Sequence, residues 1–381
     1  MAEKLTNEQQ AAVDSRERSL LVSAAAGSGK TKVLVERLFS YVEREGANLD
    51  DFLIITYTRA AASELRGKIA KALTERMERD PGNYHLRQQM LRVYRADIKT
   101  VDAFCTALLR ENCHLLGEDA RGHALRPDFH VLDENEAQVL RERVLARTLD
   151  DFYDCLTPGG TLLADTLGAG RDDSALEDLV LELHAKLQAQ PYEDKWLEAQ
   201  RAFWRAVPDK IENTPYGKIL LNEVRRKARH CKNLLQRAAQ EMCANDALNQ
   251  KYAPAFLDAS YQLEALEGKT AEGWDAARGV TIAFPRLAAV KDSDGGEMKA
   301  RMKSLWDNCK ETVKGFAEIF SASSDEAVED LRTMASAMLA LIDLTADFSR
   351  RYNEEKRRRN SADFSDQEHE AIRLLIGEDG A

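Results

Sequence analysis

The sequence lacks long apolar runs, paired cysteines and an excess of positive charge. No stretch approaches the ~20 apolar residues that a membrane-spanning helix needs. The first ten residues, MAEKLTNEQQ, contain no apolar signal core. We therefore expect no membrane partner and a cytoplasmic location.

The cysteines and the charge exclude further classes. The 6 cysteines form no CxxC pair, which is typical of reduced thiols and gives no support to a zinc or iron–sulfur site. Lys plus Arg is 54 and Asp plus Glu is 65, so the net charge is −11. This balance argues against a protein that coats nucleic acid by bulk charge, but it does not exclude a local basic track.

The amino-terminal third alternates strand and helix signals. Short apolar runs predict buried strands, and amphipathic or Ala-rich stretches between them predict helices. The predicted strands are Ser19–Ser23, Phe52–Tyr57 and Ile98–Val101, and the predicted helices are Val33–Val42, Ala60–Leu73 and Ala103–Asn112. This order predicts an α/β fold with a parallel sheet.

After about residue 135 the strand signals almost vanish, and stretches rich in Ala, Leu, Glu, Arg and Lys predict helices. Ser323 with Glu326 forms a capping box for a helix that runs to about Arg357, and Ser365 with Glu368 is expected to open another. We predict three segments: 1–135 as a partial α/β domain, 136–350 as a large all-helical insertion, and 351–381 as a return segment to the first domain.

One segment has the pattern of a phosphate-binding loop. In this pattern small residues let backbone N–H groups surround phosphates, a lysine reaches the β- and γ-phosphates, and a hydroxyl ligates Mg²⁺. The candidate nucleotide-binding residues are Ala24, Ala25, Ala26, Gly27, Ser28, Gly29, Lys30 and Thr31. We expect Lys30 and Thr31 to be catalytic, Thr31 to hold magnesium through its hydroxyl, and ATP with Mg²⁺ to be the cofactors.

Three further segments lie around this loop in the order that one helicase family shows. They are LTNEQQAAV from Leu5, TYTRAAASELR from Thr56 and TVDAFC from Thr100. With the loop they resemble the Q motif, motif I, motif Ia and motif Ib of the UvrD/Rep-like superfamily 1 DNA helicases. The resemblance implies a RecA-like P-loop domain, here partial.

The same resemblance assigns roles to individual residues. It implies that Gln9 reads adenine, although Thr6 and Gln9 also fit a simple helix capping box. It implies that single-stranded DNA is bound by Thr56, Thr58, Arg59, Thr100 and Phe104. Arg59 stands where the family usually has Asn. Asp102 stands where His or Ser is usual, and a carboxylate beside phosphates is unfavourable.

Within this family the chain is most similar to the AddA type. The segment RNSADFSDQEH from Arg358 and the segment RPDFHVLDE from Arg126 carry that likeness. It implies a helicase–nuclease subunit that acts on single- and double-stranded DNA in double-strand break repair and recombination, paired with an AddB-like subunit. The family's DExQD box would follow Asp366, so we expect a truncated fragment that is inactive alone.

Two other functions stay open. Asp133-Glu134 after Phe129–Leu132 resembles the acidic end of a Walker B strand, which would make the chain a complete, smaller P-loop ATPase; the alternative is that Asp133 caps a helix. The chain could also be a helical interaction module with a vestigial loop.

The basic clusters at 225–232 and 356–359 fit either DNA contact or solvated helix faces. Trp196, Trp204, Trp274 and Trp306 are expected to be core residues.

Overall fold

The computed structural model describes residues 5–25, 27–118, 122–167 and 174–377. The chain divides into two compact units. The first contains Met1–Val144 and Arg350–Ala381, and the second contains Leu145–Ser349. The division falls within helices α6 (Glu134–Asp154) and α15 (Ser324–Arg358).

The first unit combines helices with two small parallel sheets. Its remaining helices are α1 (Asn7–Asp14), α2 (Lys30–Glu45), α3 (Arg59–Arg79), α4 (Tyr84–Arg92), α5 (Val101–Asn112) and α16 (Phe364–Ile376). Its strands are β1 (Leu53–Thr56), β2 (Asp97–Thr100), β3 (His130–Val131) and β4 (Ser361–Ala362).

Strands β1 and β2 pair in parallel, with Leu53 opposite Asp97 and Thr56 opposite Thr100. One face of this pair packs on α2 and α3 in an apolar core that includes Phe39, Ile69 and Ile98. The other face carries Leu53 and Ile55, which are 50% and 42% exposed. The predicted strands at 52–57 and 98–101 are therefore confirmed to within one residue at each end.

The predicted strand Ser19–Ser23 is wrong. These residues form no strand, and Leu21 is 93% exposed. A strand requires a neighbouring chain to pair its backbone N–H and C=O groups. No described segment supplies one here, because the sheet that contains β1 has only two strands.

The second sheet connects two distant parts of the sequence. Strands β3 and β4 pair in parallel, and His130 N–H donates to the carbonyl of Asn360 at 3.0 Å. Asn360 has a positive φ of 50°. Its side chain accepts from Arg126 N–H at 2.9 Å and donates to Asp128 at 3.0 Å. The RPDFH and RNSADF segments are therefore in direct contact.

The N-cap of helix α16 lies two residues before the predicted one. Asp363, not Ser365, is the N-cap, and it forms a capping box with Asp366. Both carboxylates also bind Lys356, at 2.9 and 2.6 Å, and that lysine is only 1% exposed. The Ser365–Glu368 prediction fails because a buried cation already fixes the acidic pair at the helix start.

The second unit has helices and no strand among its described residues. Its helices besides α6 and α15 are α7 (Pro158–Leu167), α8 (Ser174–Gln188), α9 (Glu193–Arg205), α10 (Pro215–Met242), α11 (Asp246–Lys251), α12 (Ala253–Glu272), α13 (Trp274–Arg278) and α14 (Asp292–Ile319). Helices α10, α12 and α14 share a core, in which Phe256 stacks on Trp306 with ring centroids 4.8 Å apart.

The four tryptophans were predicted to be core residues, and their burial agrees with that prediction. Trp204, Trp274 and Trp306 are 5%, 3% and 3% exposed. Trp196 is partly buried against the same cluster as Trp204. Among the described helices, none is both long and apolar enough to cross a membrane.

Candidate nucleotide and nucleic-acid site

The glycines of the candidate phosphate loop take the backbone conformation that such a turn requires. Gly27 and Gly29 have φ values of 78° and 85°, a region that residues with a side chain rarely adopt. Gly29 is the N-cap of α2, so Lys30 and Thr31 are its first two residues. Ala26 lies outside the described residues.

Helix α2 begins with N–H groups and cations rather than carboxylates. Its first turn has no acidic residue, although Asp or Glu is the residue type that normally stabilises a helix start. Lys30 Nζ instead binds the loop's own carbonyls, those of Ala24 and, at 2.9 Å, Ala25. Both Lys30 and Thr31 are exposed. The loop thus offers donors to an anion that arrives from solvent.

Gln9 connects the first helix to the loop. Its side-chain amide nitrogen, Nε2, donates to the carbonyl of Ser28 at 3.0 Å. Its Oε1 accepts from Thr6 N–H at 3.0 Å, which completes the capping box of α1. The Gln9 side chain therefore contacts the candidate phosphate loop and at the same time caps α1.

Arginines fix α1 against α2. Arg37 donates to the carbonyls of Ala12 and Ser15 at the end of α1, at 2.5 and 2.6 Å. The guanidinium of Arg16 lies 4.0 Å from the ring centroid of Tyr41. These contacts position Gln9, because α1 and α2 are held together at their far ends as well as at the loop.

The candidate DNA residues come together at the carboxyl ends of β1 and β2. Thr56 and Thr100 are register partners. Thr58 and Thr100 are the N-caps of α3 and α5, accepting from Ala61 N–H at 3.1 Å and from Ala103 N–H at 3.2 Å. Two helix N-termini therefore lie side by side, an arrangement that favours anions.

Arg59 has an unusual place for a cation. It is the first residue of α3, it is exposed, and the first turn of α3 contains no carboxylate. A cation at the positive end of a helix dipole is unfavourable by about 0.3–1 kcal/mol. Phosphate binding would offset that cost.

The candidate DNA-binding residues at the start of α5 are less accessible to a phosphate than those at the start of α3, or lie next to a carboxylate. Phe104 is half-buried, and Thr100 is 7% exposed with its hydroxyl engaged as a cap. Asp102 lies in the first turn of α5, so a negative charge is present at one of the two helix N-termini. Asp102 thus weakens the α5 side of the site, and the α3 side is the better phosphate site.

One exposed aromatic residue was missed in the sequence interpretation. The Tyr57 side chain is fully exposed between Thr56 and Thr58, at a relative accessibility of 103%. An unpacked ring beside a phosphate site is suited to base stacking. Its place in the TYTR segment was the available signal, but nothing in the sequence alone distinguished a free ring from a core residue.

Asp133 is a helix cap. Its carboxylate accepts from Glu136 N–H at 2.9 Å, and its own N–H donates to the Glu136 carboxylate at 3.0 Å. His130 binds the same Glu136 carboxylate at 2.9 Å. This geometry matches the capping alternative and leaves the Walker B alternative without a supporting contact.

Four of the five cations in the basic cluster at 225–232 form ion pairs on their own surface, and Arg225 donates a hydrogen bond to Thr270. Arg226 and Lys227 pair with Glu223, and Arg229 and Lys232 pair with Glu267 at 2.7 and 2.9 Å. These pairs join α10 to itself and to α12. They favour a structural role for this cluster.

The cluster at 356–359 is also paired. Lys356 is buried against Asp363 and Asp366, Arg357 pairs with Glu370, and both Arg358 and Arg359 pair with Glu355. Hydrogen bonds from Arg358 lower the pKa of Glu355 to about 2, although burial acts in the opposite direction. A DNA phosphate would have to compete with these carboxylates.

The glycine turn at the start of α2, with Gln9 bonded to it from α1, has the arrangement of P-loop nucleotide-binding proteins. Comparison with known families agrees and is more specific. Residues 5–380 match the UvrD/REP helicase N-terminal domain, and the chain belongs to that family.

Curated relatives share one name, the A subunit of the ATP-dependent helicase/nuclease. The chain is similar to the protein of this name from Alkaliphilus oremlandii, at 34% identity over 98% of this chain and 31% of that protein. It is similar to those from Desulforudis audaxviator, at 33% over 97% and 30%, and Ruminiclostridium cellulolyticum, at 31% over 99% and 30%. The chain spans about 30% of the length of these relatives.

Proposed function

We propose that this chain is the ATP- and DNA-binding part of an ATP-dependent DNA helicase that acts in double-strand break repair and recombination. The observation that carries the proposal is the pair of helix starts at α2 and α3. Each begins with an exposed cationic residue, Lys30 or Arg59, and has no carboxylate in its first turn. Each is therefore suited to an anion, which would be nucleotide phosphate at α2 and the DNA backbone at α3.

At the nucleotide site the backbone of Ala24–Gly29 and the Lys30 ammonium would hold the phosphates, and the Thr31 hydroxyl would ligate Mg²⁺. No group of three His, Cys, Asp or Glu side chains that could hold a metal occurs within the described part of the chain. Magnesium would therefore be held through Thr31 and the nucleotide itself. Adenine would be read by Gln9 after its amide leaves Ser28.

At the DNA site Thr56, Thr58 and Arg59 would contact the backbone of a single strand, and Tyr57 would stack on a base. Thr100 and Phe104 would support this site from α5. Strand separation would depend on ATP-driven movement against parts of the intact protein beyond these residues. The chain alone would not unwind DNA, and a tailed duplex opened by this chain with ATP would contradict the proposal.

The relatives' name describes each of them as one subunit of a helicase/nuclease. That name supports a partner for this chain, AddB-like in the terms of the sequence resemblance, and a nuclease function in the intact protein. We propose residues 1–135 and 351–381 as parts of the ATP-binding domain, and 136–350 as its helical insertion. We also propose a cytoplasmic location, as for other DNA-processing enzymes.

DNA binding can be tested with a fluorescent oligothymidylate and anisotropy titrations at several salt concentrations. Arg59→Ala should weaken binding and lower the slope of log affinity against log salt by about 0.7, as expected for one lost phosphate contact on a single strand. Tyr57→Ala should weaken binding by about 1–3 kcal/mol with the slope unchanged. Arg79→Ala, at the opposite end of α3, is the matched control and should behave as wild type.

Equal affinities for all four proteins would exclude the start of α3 as the DNA site. A loss in Arg79→Ala as large as that in Arg59→Ala would indicate a general charge effect and would have the same consequence.

A further inference from the structure

Helix α4 has one buried face and one face without a partner among the described residues. On the buried face, Leu86, Gln89 and Val93 are 2%, 0% and 0% exposed. Gln89 accepts from Leu49 N–H at 2.9 Å, which fixes the helix to the turn that precedes β1. The opposite face is therefore presented to solvent in a fixed orientation.

That opposite face is rich in large side chains. We call it the α4 outer face. It consists of Tyr84, Arg87, Gln88 and Leu91 on α4, which recur at the spacing of one helix side, and of Tyr94 and Arg95 in the turn that follows the helix. Tyr84, Leu91 and Tyr94 are 71%, 77% and 72% exposed. Single exposed apolar residues are ordinary, but three on one short helix and the turn after it indicate a contact surface.

The composition of this face specifies the chemistry of a partner. Tyr and Arg are the residue types that contribute most binding energy at protein interfaces. The α4 outer face has two of each and no carboxylate, on a chain whose net charge is −11. Arg87 uses one N–H on the carbonyl of Pro81, which leaves most of its donors available. A complementary surface would present carboxylates around apolar side chains.

The position of the face separates it from the proposed nucleotide and DNA sites. Those sites lie at the starts of α2 and α3 and at the carboxyl ends of β1 and β2, whereas α4 leads into the amino end of β2. The four residues of β2 span roughly 13 Å at about 3.3 Å per residue. The two regions are therefore separate surfaces. Leu91 is an exposed aliphatic side chain that can pack against apolar side chains but cannot stack on a base, so a protein is the better-supported occupant.

We propose that the α4 outer face docks a second protein subunit through an acidic surface with apolar side chains at its centre. This inference rests on the proposed function, since that function includes a partner subunit. It goes further by naming the surface, the residues and the charge of the partner's surface.

The test uses the full-length protein co-expressed with its partner subunit. A double variant, Leu91→Asp with Arg95→Glu, places two carboxylates on the α4 outer face. We expect it to weaken the affinity between the subunits by about thirty-fold, as for a lost interface anchor. The matched control, Leu115→Asp with Arg18→Glu, makes the same changes at exposed positions on other segments of the first unit and should leave the affinity unchanged. Affinity is measured by analytical ultracentrifugation.

A second measurement guards against misfolding. A photo-reactive benzoyl-phenylalanine at position 94 should crosslink to the partner subunit, and one at position 115 should not. Wild-type affinity in the Leu91→Asp/Arg95→Glu variant, or a crosslink from position 94 only to DNA or to another part of the same chain, would overturn the inference. Failure of the wild-type subunits to associate would instead overturn the partner subunit in the proposed function, and this inference with it.

Discussion

The two polar side-chain atoms of Gln9 form hydrogen bonds with different functions. Its Oε1 caps α1 through Thr6, and its Nε2 binds Ser28 on the phosphate loop. A capping box works with Glu as well as with Gln, but Glu cannot donate from the position of Nε2. The substitution Gln9→Glu can therefore separate the capping of α1 from the contact with the loop.

Gln9→Glu should lower the affinity for ATP by roughly three- to ten-fold, the effect of one lost hydrogen bond. Thermal stability should fall only slightly, because the bond to Ser28 that is also lost is exposed. Adenine should be affected more than guanine, because only adenine recognition is assigned to this amide. Competition by ATP and GTP against a fluorescent nucleotide measures the difference. An unchanged preference for adenine would show that another group reads the base.

Glu355 makes the stability of the folded chain depend on pH at low pH. Its pKa is lowered to about 2, below the ordinary value of about 4.3 for the unfolded chain. A lowered pKa in the folded state stabilises the protein above the unfolded value. That contribution is lost as the pH falls from about 4.3 towards 2.

Replacing Glu355 with Gln should therefore reduce stability by about 1 kcal/mol at pH 7, a modest value because Arg358 is 58% exposed and solvent screens the pair. Near pH 2 the variant and the wild type should differ little. Urea denaturation at both pH values tests this. A stability difference that grows as the pH falls would contradict the assignment of the ion pairs.

At the scale of elements, Asn360 controls the connection between the RPDFH and RNSADF segments. It combines a positive φ with side-chain hydrogen bonds to Arg126 N–H and Asp128, and its carbonyl accepts from His130 N–H. Asn is one of the few non-glycine residues that tolerate this backbone conformation.

Asn360→Ala should destabilise the protein by about 2–3 kcal/mol, because it removes two hydrogen bonds and places a strained residue at that φ. Asn360→Gly removes the same hydrogen bonds but relieves the strain, so it should cost less. Thermal melts of the two variants separate the contributions. Equal losses would mean that the backbone conformation carries no cost here.

Local sequence signals predicted the elements whose causes are local. The apolar spacing of Leu65, Ile69 and Leu73 predicted α3, and all three residues are buried. The phosphate-loop pattern likewise predicted a helix start at Lys30. In contrast, a strand depends on a partner chain, and SLLVS at 19–23 has the composition of a strand without a neighbour to pair with.

The start of α16 could not be predicted for a similar reason. Ser365 with Glu368 fits the capping pattern as well as Asp363 with Asp366 does. Lys356, which selects the second pair, is brought there by tertiary packing. The site shows a similar limit for Tyr57, whose exposure sequence order alone did not reveal. For Asp133 the sequence left a Walker B strand and a helix cap open, and the hydrogen bond from Glu136 N–H agrees with the cap.

At the scale of the whole molecule, the first unit has a parallel sheet with one open face. Parallel sheets are normally covered on both faces, yet Leu53 and Ile55 are about half exposed and the segment Ser19–Ser23 has no partner strand among the described residues. The chain spans about 30% of the length of its relatives. The face that carries Leu53 and Ile55 is therefore available for contact with a further element.

The most direct test of the account is the binding of a fluorescent ATP analogue to this chain in the presence of Mg²⁺. We predict saturable binding that is lost in Lys30→Ala and retained in Lys32→Ala, a neighbouring lysine outside the proposed site. ATP should displace the analogue more effectively than GTP. Binding that is unaffected by Lys30→Ala, or no binding by the wild-type chain, would contradict the central claim that residues 24–31 form a nucleotide site.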